Sequence, residues 1–406
     1  MMSEPFSRSL KRFLKAGLLS FGGPAAQLEQ LRAQYVTSGL VPEVTLARAI
    51  SFCSILPGPE SQQVATYLGW RVAGLRGAIA ASTLYILPGW LLVTLASALY
   101  VAFGHTSVML AVALGLRSAV VALLAESLWR QAKRVSQTPA VLLITLASIA
   151  ARLAGIPFPL VMLTALIIGL VLPITAITQV SERTPIRWKK LLLEGLAAAA
   201  LWLLPLGAAL LAFGSDARVV AVVHDYTALS VSTWGGAYAV INVVIDNAVH
   251  QGWVTPTQMI DGLGLAESSP GPLLLTLCFV GFLAVGGPSA TPIVSGILGS
   301  ALAAWCLFMP SIVWIVLGAP IAEWLTQNPR VERAARFIAA AALGVIALVA
   351  TYIMRQVVWP EGATVDAQWP VLVTVALCLA IHFVKKRPAF TLGLGVATAL
   401  VISAVR

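Results

Sequence analysis

Ala78-Ile79-Ala80-Ala81-Ser82-Thr83-Leu84-Tyr85-Ile86-Leu87-Pro88-Gly89-Trp90-Leu91-Leu92-Val93-Thr94-Leu95-Ala96-Ser97-Ala98-Leu99-Tyr100-Val101-Ala102-Phe103 contains no charged residue. As a helix, such a run has the length that crosses a ~30 Å hydrocarbon slab. Val108–Leu128, which carries Arg117 and Glu126, and the shorter run Val371–Val384 are also read as parts of spans. Over the whole chain, 59% of residues are hydrophobic, 10% are charged and the mean hydropathy is +0.90. A soluble domain carries roughly a quarter charged residues, so water cannot be the solvent over most of this surface. Inside lipid, every backbone polar group must be satisfied within the protein, which leaves helices or closed barrels. Short alternating strands are not seen, so the predicted fold class is all-α, a polytopic helical membrane protein.

The net charge of +10 does not point to nucleic acid. Basic residues sit in short loops at Arg8–Lys15, Arg130–Arg134, Arg183–Lys190 and Lys385–Arg387, the pattern of cytoplasmic loops. Cys53, Cys278, Cys306 and Cys378 stand singly in apolar surroundings, with no Cys-x-x-Cys and no histidine cluster. They are expected to be buried thiols, and no metal or other cofactor is implied. Arg8 to Phe21 imitates a signal peptide, but the apolar run stops at Gly22-Gly23-Pro24 and continues into amphipathic helix, so it is expected to be retained.

The sequence repeats on itself at an offset of 213 residues. Ser20-Phe21-Gly22-Gly23 then falls on Thr233-Trp234-Gly235-Gly236, Gly39 and Val41 on Gly252 and Val254, and Pro57-Gly58-Pro59 on Pro270-Gly271-Pro272. Nine of the 40 positions from 20 to 59 are identical without a gap, and they concentrate at helix-breaking types. Two whole motifs in register indicate a duplicated chain. The expected division is a first repeat over 1–190, a connecting transmembrane helix over 191–215 and a second repeat over 216–406.

Spans are predicted near 76–103, 106–129, 138–155, 158–180 and 191–213, and again near 288–309, 311–328, 333–355, 369–384 and 388–404. Each motif region of about 60 residues breaks into helices of roughly 12–17 residues, short for simple spans and suited to broken or re-entrant helices. Five spans per half would invert the second repeat relative to the first. Basic loops place the N-terminus in the cytoplasm, but Arg330, Arg333, Arg336 and Lys385–Arg387 cannot then all be cytoplasmic. Parity is weighted above local charge here, and an inverted repeat is expected.

Glycine and proline within a bilayer are costly unless the freed backbone groups are used. Pro57-Gly58-Pro59 ends one helix and starts another whose first N–H groups carry partial positive charge, an anion-binding geometry. Glu60 suits that first turn, and Ser61, Gln62 and Gln63 offer neutral donors. Gly22-Gly23 and Gly235-Gly236 permit close backbone approach. In the second copy, Glu267-Ser268-Ser269 precede Pro270-Gly271-Pro272 and three leucines follow. Candidate binding residues are therefore Ser20, Gly22, Gly23, Pro57 to Gln63, Thr233, Gly235, Gly236 and Ser268 to Pro272, meeting in one midplane cavity. A kink-and-packing role for the Pro-Gly-Pro turns is the plainer alternative. Charges inside spans are expensive and mark function. Glu126, Asp246 and Glu267 are candidates for a coupling proton, with solvated interfacial positions as the alternative. Arg117 and Glu126, nine residues apart on one span, are not expected to pair, and Arg71 and Arg76 are expected at an interface.

Leu56-Pro57-Gly58-Pro59-Glu60-Ser61-Gln62-Gln63-Val64-Ala65-Thr66-Tyr67-Leu68-Gly69-Trp70 resembles the first-half motif of the chromate ion transporters. Phe13 to Pro24 resembles that family's opening motif. Trp234 to Tyr238, Gly252 to Pro256, Asp261 to Pro272 and Leu317-Gly318-Ala319-Pro320 resemble its later ones. The resemblance covers nearly the whole chain. It implies a long, two-domain transporter of the bacterial inner membrane that exports chromate and confers chromate resistance. Chromate is a tetrahedral dianion close to sulfate, and backbone donors would accept both. Tyr35 to Val41 is less basic and aromatic than that family's usual pattern, which leaves sulfate or another oxyanion open as the physiological substrate.

No phosphate-binding Gly-x-x-x-x-Gly-Lys-[Ser/Thr], no His-Glu-x-x-His and no Gly-x-Ser-x-Gly occurs, so neither an ATP-driven pump nor an enzyme is expected. A secondary oxyanion exporter is the leading expectation. A cation-coupled exporter of a small organic solute and a non-transporting membrane scaffold are the alternatives. Partners are the oxyanion, a coupling proton and membrane lipid. Gly393 and Gly395 suit either a homodimer contact or packing within the chain.

Overall fold

The computed structural model describes residues 6–135, 138–172, 188–214, 216–232, 240, 244, 247–322, 328–359, 365–385 and 388–405. Among the described residues every regular element is helical. The motif region of the first half holds α1 (Phe6–Leu18), α2 (Pro24–Leu31, extended by a π turn over Arg32–Val36) and α3 (Glu43–Cys53). Then come α4 (Glu60–Phe103), α5 (Ser107–Arg134), α6 (Pro139–Leu153), α7 (Phe158–Val171) and α8 (Trp188–Phe213). The second half contributes α9 (Ala217–Ser232), α10 (Pro256–Glu267), a 3-10 turn Leu273–Leu275 leading into α11 (Thr276–Gly286), α12 (Pro292–Phe308) and α13 (Pro310–Gly318). It ends with α14 (Pro329–Val358), α15 (Val365–Lys385) and α16 (Pro388–Val405).

Proline occupies the first position of α2, α6, α10, α12, α14 and α16, where its missing N–H removes no helical bond, while Pro310 opens α13 directly after helical Met309 and interrupts the bonding between α12 and α13. Thr255 starts α10 with a reciprocal capping box to Gln258. The 44 residues of α4 are two helices joined at a kink, with Ala73 at φ −144° and Gly74 at φ 59°. The long arm after the kink is the span expected over 76–103, and Arg71 and Arg76 flank the kink with exposed side chains.

Four helices, α4, α5, α8 and α14, are long and apolar enough to cross a membrane, as is the continuous run Pro292–Ile321 that holds α12 and α13. The chain is thus an all-α, multi-pass membrane protein. Leu204 is 71% and Leu211 92% exposed on α8, an apolar surface that needs lipid as its solvent. At the opposite extreme, every residue of α11 is buried. That helix is hydrophobic on all sides and forms the centre of the bundle.

The spans expected at 138–155 and 158–180 correspond to α6 and to α7, with residues 173–180 lying outside the described residues. α6 has 15 residues and α7 has 14, about 20 Å each at helical rise and less than a hydrocarbon core. Polar bonds to α14 hold them. Thr145 Oγ1 donates to the Ala340 carbonyl and Ser148 Oγ to the Ala341 carbonyl, both at 3.0 Å. The Arg333 guanidinium bonds to the carbonyls of Gly169 and Leu172, satisfying acceptors at the end of α7, which stops at Val171, two positions before Pro173 in the sequence.

Equivalent positions in the two motif regions share backbone detail. Gly58 and Gly271 both adopt φ +115°, and Gly39 and Gly252 lie at +76° and +64°. The turn bonds Leu40 N–H to Tyr35 O and Leu56 N–H to Cys53 O recur as Trp253 N–H to Ala248 O and Ser269 N–H to Ala266 O. The four cysteines are buried and form no disulfide. Gly395 is used inside the chain: a Cβ on it would lie 2.5 Å from the Gly115 carbonyl oxygen of α5.

Candidate functional site

Each Pro-Gly-Pro turn ends a short helix and begins a buried one. After α3, the turn delivers Pro59 as N-cap of α4, whose first intrahelical bond to the turn is Gln63 N–H to Pro59 O at 3.0 Å. The N–H groups of Glu60, Ser61 and Gln62 come ahead of that bond, in the first turn, where helical N–H groups point out of the helix end. After α10, Pro272 is the N-cap of the Leu273–Leu275 turn that runs into α11. Gly22-Gly23 forms a third break, and α2 starts immediately after it at Pro24.

These three helix starts meet. One cleft of about 520 Å³ between atoms, of which about 40 Å³ is reachable by the centre of a water molecule, is lined by all three breaks. Gly22, Gly23, Pro24 and Gln27 come from the first; Pro59, Glu60 and Ser61 from the second. Ala266, Glu267, Ser269, Gly271, Pro272 and Leu273 come from the other half of the chain. The partial positive charges of three helix N-termini therefore converge on a small enclosed space. Ser61 and Ser269, 4% and 5% exposed, add hydroxyls to it.

Backbone contacts tie the two halves together at this point. The Gly271 N–H donates to the Ser20 carbonyl at 3.0 Å. Gln27, 3% exposed, donates through Nε2 to the carbonyls of Gly22 at 2.8 Å and Gly271 at 2.7 Å. Gly89 on the long arm of α4 lets the second turn seat: a Cβ there would lie 1.8 Å from the Pro270 carbonyl oxygen.

Of the residues expected at the site, Gly22, Gly23, Pro59, Glu60, Ser61, Glu267, Ser269, Gly271 and Pro272 line this cavity together. Ser20 reaches it through its carbonyl bond to Gly271. Pro57, Gly58 and Pro270 build the turns without lining it. Gln63 Nε2 braces its own turn by donating to the Pro57 carbonyl. Gln62 Nε2 faces Ser82 Oγ at 2.6 Å and the Phe308 carbonyl at 3.3 Å, joining α4 to α12. Ser268 opens instead onto a larger neighbouring cavity of about 730 Å³, whose wall also includes Phe21, Gly22, Leu116, Glu267, Leu392 and Gly393. Gly22 and Glu267 are shared by both cavities and separate them. Thr233, Gly235, Gly236 and Asp246 lie outside the described residues. Glu126 is away from the cavity, bonded to His382 Nε2 and 3.3 Å from Arg130 Nη2. Arg117 pairs with Asp261 rather than with Glu126. Gln27 is a site residue that sequence reasoning misses; its one signal is an amide in the turn after Gly-Gly-Pro, on a helix otherwise bound for a buried position.

A family model described as chromate transporter matches residues 8–170 and 220–401. The chain belongs to the chromate transporter family. Every motif quoted above for that resemblance falls inside the matched segments. A chromate transport protein of Pseudomonas aeruginosa is 30% identical over 83% of this chain and 78% of its own length. One from Cupriavidus metallidurans is 23% identical over 92% and 87%. An uncharacterized transporter of Methanocaldococcus jannaschii is 25% identical over 87% and 85%. No solved structure matches the chain at a significant level. As a chromate transporter family member, this chain is a multi-pass membrane transporter, and the cavity between its halves is where a transported ion is to be sought.

Proposed function

We propose that the chain is a secondary transporter that exports chromate, or a similar tetrahedral oxyanion such as sulfate, across the bacterial inner membrane and so confers chromate resistance. The observation that carries this reading is the convergence of three helix N-termini, from both halves of the chain, on one small cavity. Ser61 supplies a hydroxyl, that of Ser269 becomes a donor once it turns from the Ala266 carbonyl to which it donates at 2.8 Å, and the backbone of Gly22, Gly23 and Gly271 approaches without side chains. Neutral donors of this kind suit both chromate and sulfate. Glu60 and Glu267 also line the space, so a dianion enters with these carboxylates protonated or turned aside. Glu267 borders both cavities, and a turn of its side chain moves it from one to the other.

The duplicated motifs support an inverted-repeat transporter in which the halves rock about this site. The inside-negative membrane potential already drives anions outward, at ~2.3 kcal/mol per charge per 100 mV. A scaffold is disfavoured by the family's transport role.

The test is uptake of labelled chromate and sulfate by liposomes holding the purified chain, with amino acids as competitors. Oxyanion uptake that amino acids leave untouched is expected, falling at least ~10-fold in S61V and S269V. A wild-type protein that moves neither oxyanion overturns the reading.

A further inference from the structure

Behind the Gly23 wall of the cavity lies a charge cluster that the oxyanion reading leaves unused. His382 on α15 is fully buried. Its Nε2 bonds to Glu126 Oε2 on α5, and its Nδ1 lies 2.7 Å from Thr391 Oγ1 on α16. Arg130, one helical turn beyond Glu126, places Nη2 3.3 Å from the same Oε2. That nitrogen also faces the cavity wall, since a Cβ built on Gly23 would lie 3.3 Å from it. One guanidinium nitrogen thus stands between a carboxylate that shares a bond with an imidazole and the backbone that lines the candidate oxyanion cavity.

We propose that Glu126 and His382 form a proton-binding site whose occupancy sets the charge that Arg130 presents to the cavity through Gly23. This inference rests on the oxyanion reading above. Without the proton, the Glu126 carboxylate and neutral His382 carry one negative charge, which cancels that of Arg130. With one proton taken from water, on either partner, the pair is neutral and the positive charge of Arg130 is uncompensated beside the cavity. No covalent bond changes, and the proton returns to water when the pair releases it. A dianion therefore favours the protonated cluster, and by linkage the proton favours the occupied cavity.

Other charges on the surrounding elements lie in ion pairs, near helix ends or at the cavity itself. α16 has no titratable side chain within Pro388–Val405, and α15 has, besides His382, Asp366 and Lys385 near its two ends and the Cys378 thiol, which donates to the Thr391 carbonyl. On α10, Asp261 is held by Arg117, and Glu267 lines the cavity. On α14, Glu332 pairs with Arg336, Arg333 binds carbonyls of α7, and Arg355 lies in the last turn. On α5 itself, Lys133 stacks over Trp129. Glu60 and Glu267 line the cavity and are unchanged in a Glu126 variant.

The experiment uses the purified full chain and sulfate, which stays a dianion from about pH 5.5 to about pH 8.5, the range over which an imidazole changes charge. Sulfate affinity and proton uptake on binding are both measured. In the wild type, affinity is expected to weaken at least ~10-fold as pH rises across the range. Glu126→Gln is neutral throughout. It should hold the tighter affinity to higher pH and take up fewer protons per sulfate, by up to about one. Arg130→Gln should bind weakly at every pH, and Arg130→Lys should restore the slope. Measurable wild-type binding that does not change with pH overturns this inference alone, with no variant needed. So does an E126Q protein with wild-type slope and proton count. Failure to bind any oxyanion at any pH overturns the site reading and this inference with it.

Discussion

Asp261 on α10 accepts from three donors on two helices of the first half. Arg117 reaches it with Nε and, at 2.8 Å, with Nη2, and the Tyr100 hydroxyl reaches it at 2.8 Å. Its side chain is 2% exposed and that of Arg117 23%. Two opposite charges removed from water in this way are held by their mutual attraction, and taking away either one strands the other. D261N keeps the shape and the Tyr100 bond but leaves a guanidinium without a counter-charge; its cost is about 3–5 kcal/mol. R117M strands the more deeply buried carboxylate and should cost at least as much. R117M/D261N carries no charge at all, and its new amide can still accept from Tyr100. The double variant is therefore expected to be more stable than either single, within about 1–2 kcal/mol of wild type. Equilibrium unfolding in detergent, followed by the fluorescence of the 12 tryptophans, measures the four proteins. α10 also carries Glu267 at its last turn, so transport should fall in the singles and recover in the double. A double variant whose loss equals the sum of the two singles within about 0.5 kcal/mol would refute the pairing argument.

G89A places a methyl group 1.8 Å from the Pro270 carbonyl oxygen, a backbone atom that no rotamer change can move aside. Loss of transport is expected, and trimming Leu275 to Ala should not rescue it, because the overlap is with the main chain. As a control, a Cβ added to Gly207 on α8 would meet nothing within 4 Å, so G207A should gain up to about 1 kcal/mol of helix stability and transport normally. Reconstituted uptake and thermal unfolding read both.

Fold class is legible because it follows from composition: 10% charged residues cannot cover a water-facing surface. Helix boundaries follow where a proline or a capping residue marks them, as at Thr255-Pro256. The ends of α6 and α7 are marked as well, by Gly155 and Pro157 after Leu153 and by Pro173 after Leu172, whereas the Arg333 bond to the Gly169 carbonyl, 164 residues away, leaves no local trace. At the site, the breaks are legible because glycine and proline act on their own backbone. Position after the turn suggests that Gln62 and Gln63 face the site, but each helical residue rotates about 100° and only Glu60 and Ser61 of that run face inward. Pairings carried by distant partners leave no local trace. Gln27 and Gly271 are 244 residues apart, Glu126 and His382 256, and Arg117 and Asp261 144.

The Gly-Gly break and the second Pro-Gly-Pro turn are bonded to each other across the cavity. One break must move away from another for the ion to pass. The second Pro-Gly-Pro turn is fixed against α4 by the Gly89 contact, which has no slack. The Gly-Gly break is held to that turn by two neutral amide bonds, Gly271 N–H to Ser20 O and Gln27 Nε2 to Gly271 O, while the Gln27 bond to Gly22 O stays within the break. Each is worth about 1 kcal/mol net, so parting them costs a few kcal/mol, within what ligand binding can supply. The Gly22–Gln27 segment is therefore the part that opens. Q27L tests this, since it deprives the Gly22 and Gly271 carbonyls of their shared donor and weakens the closed form by about 1–3 kcal/mol. Amide exchange across Gly22–Gln27 should then speed up by at least ~5-fold while that of α11 is unchanged. Equal acceleration in both would mean that the bundle loosens as a whole and that the Gly-Gly break is no separate gate.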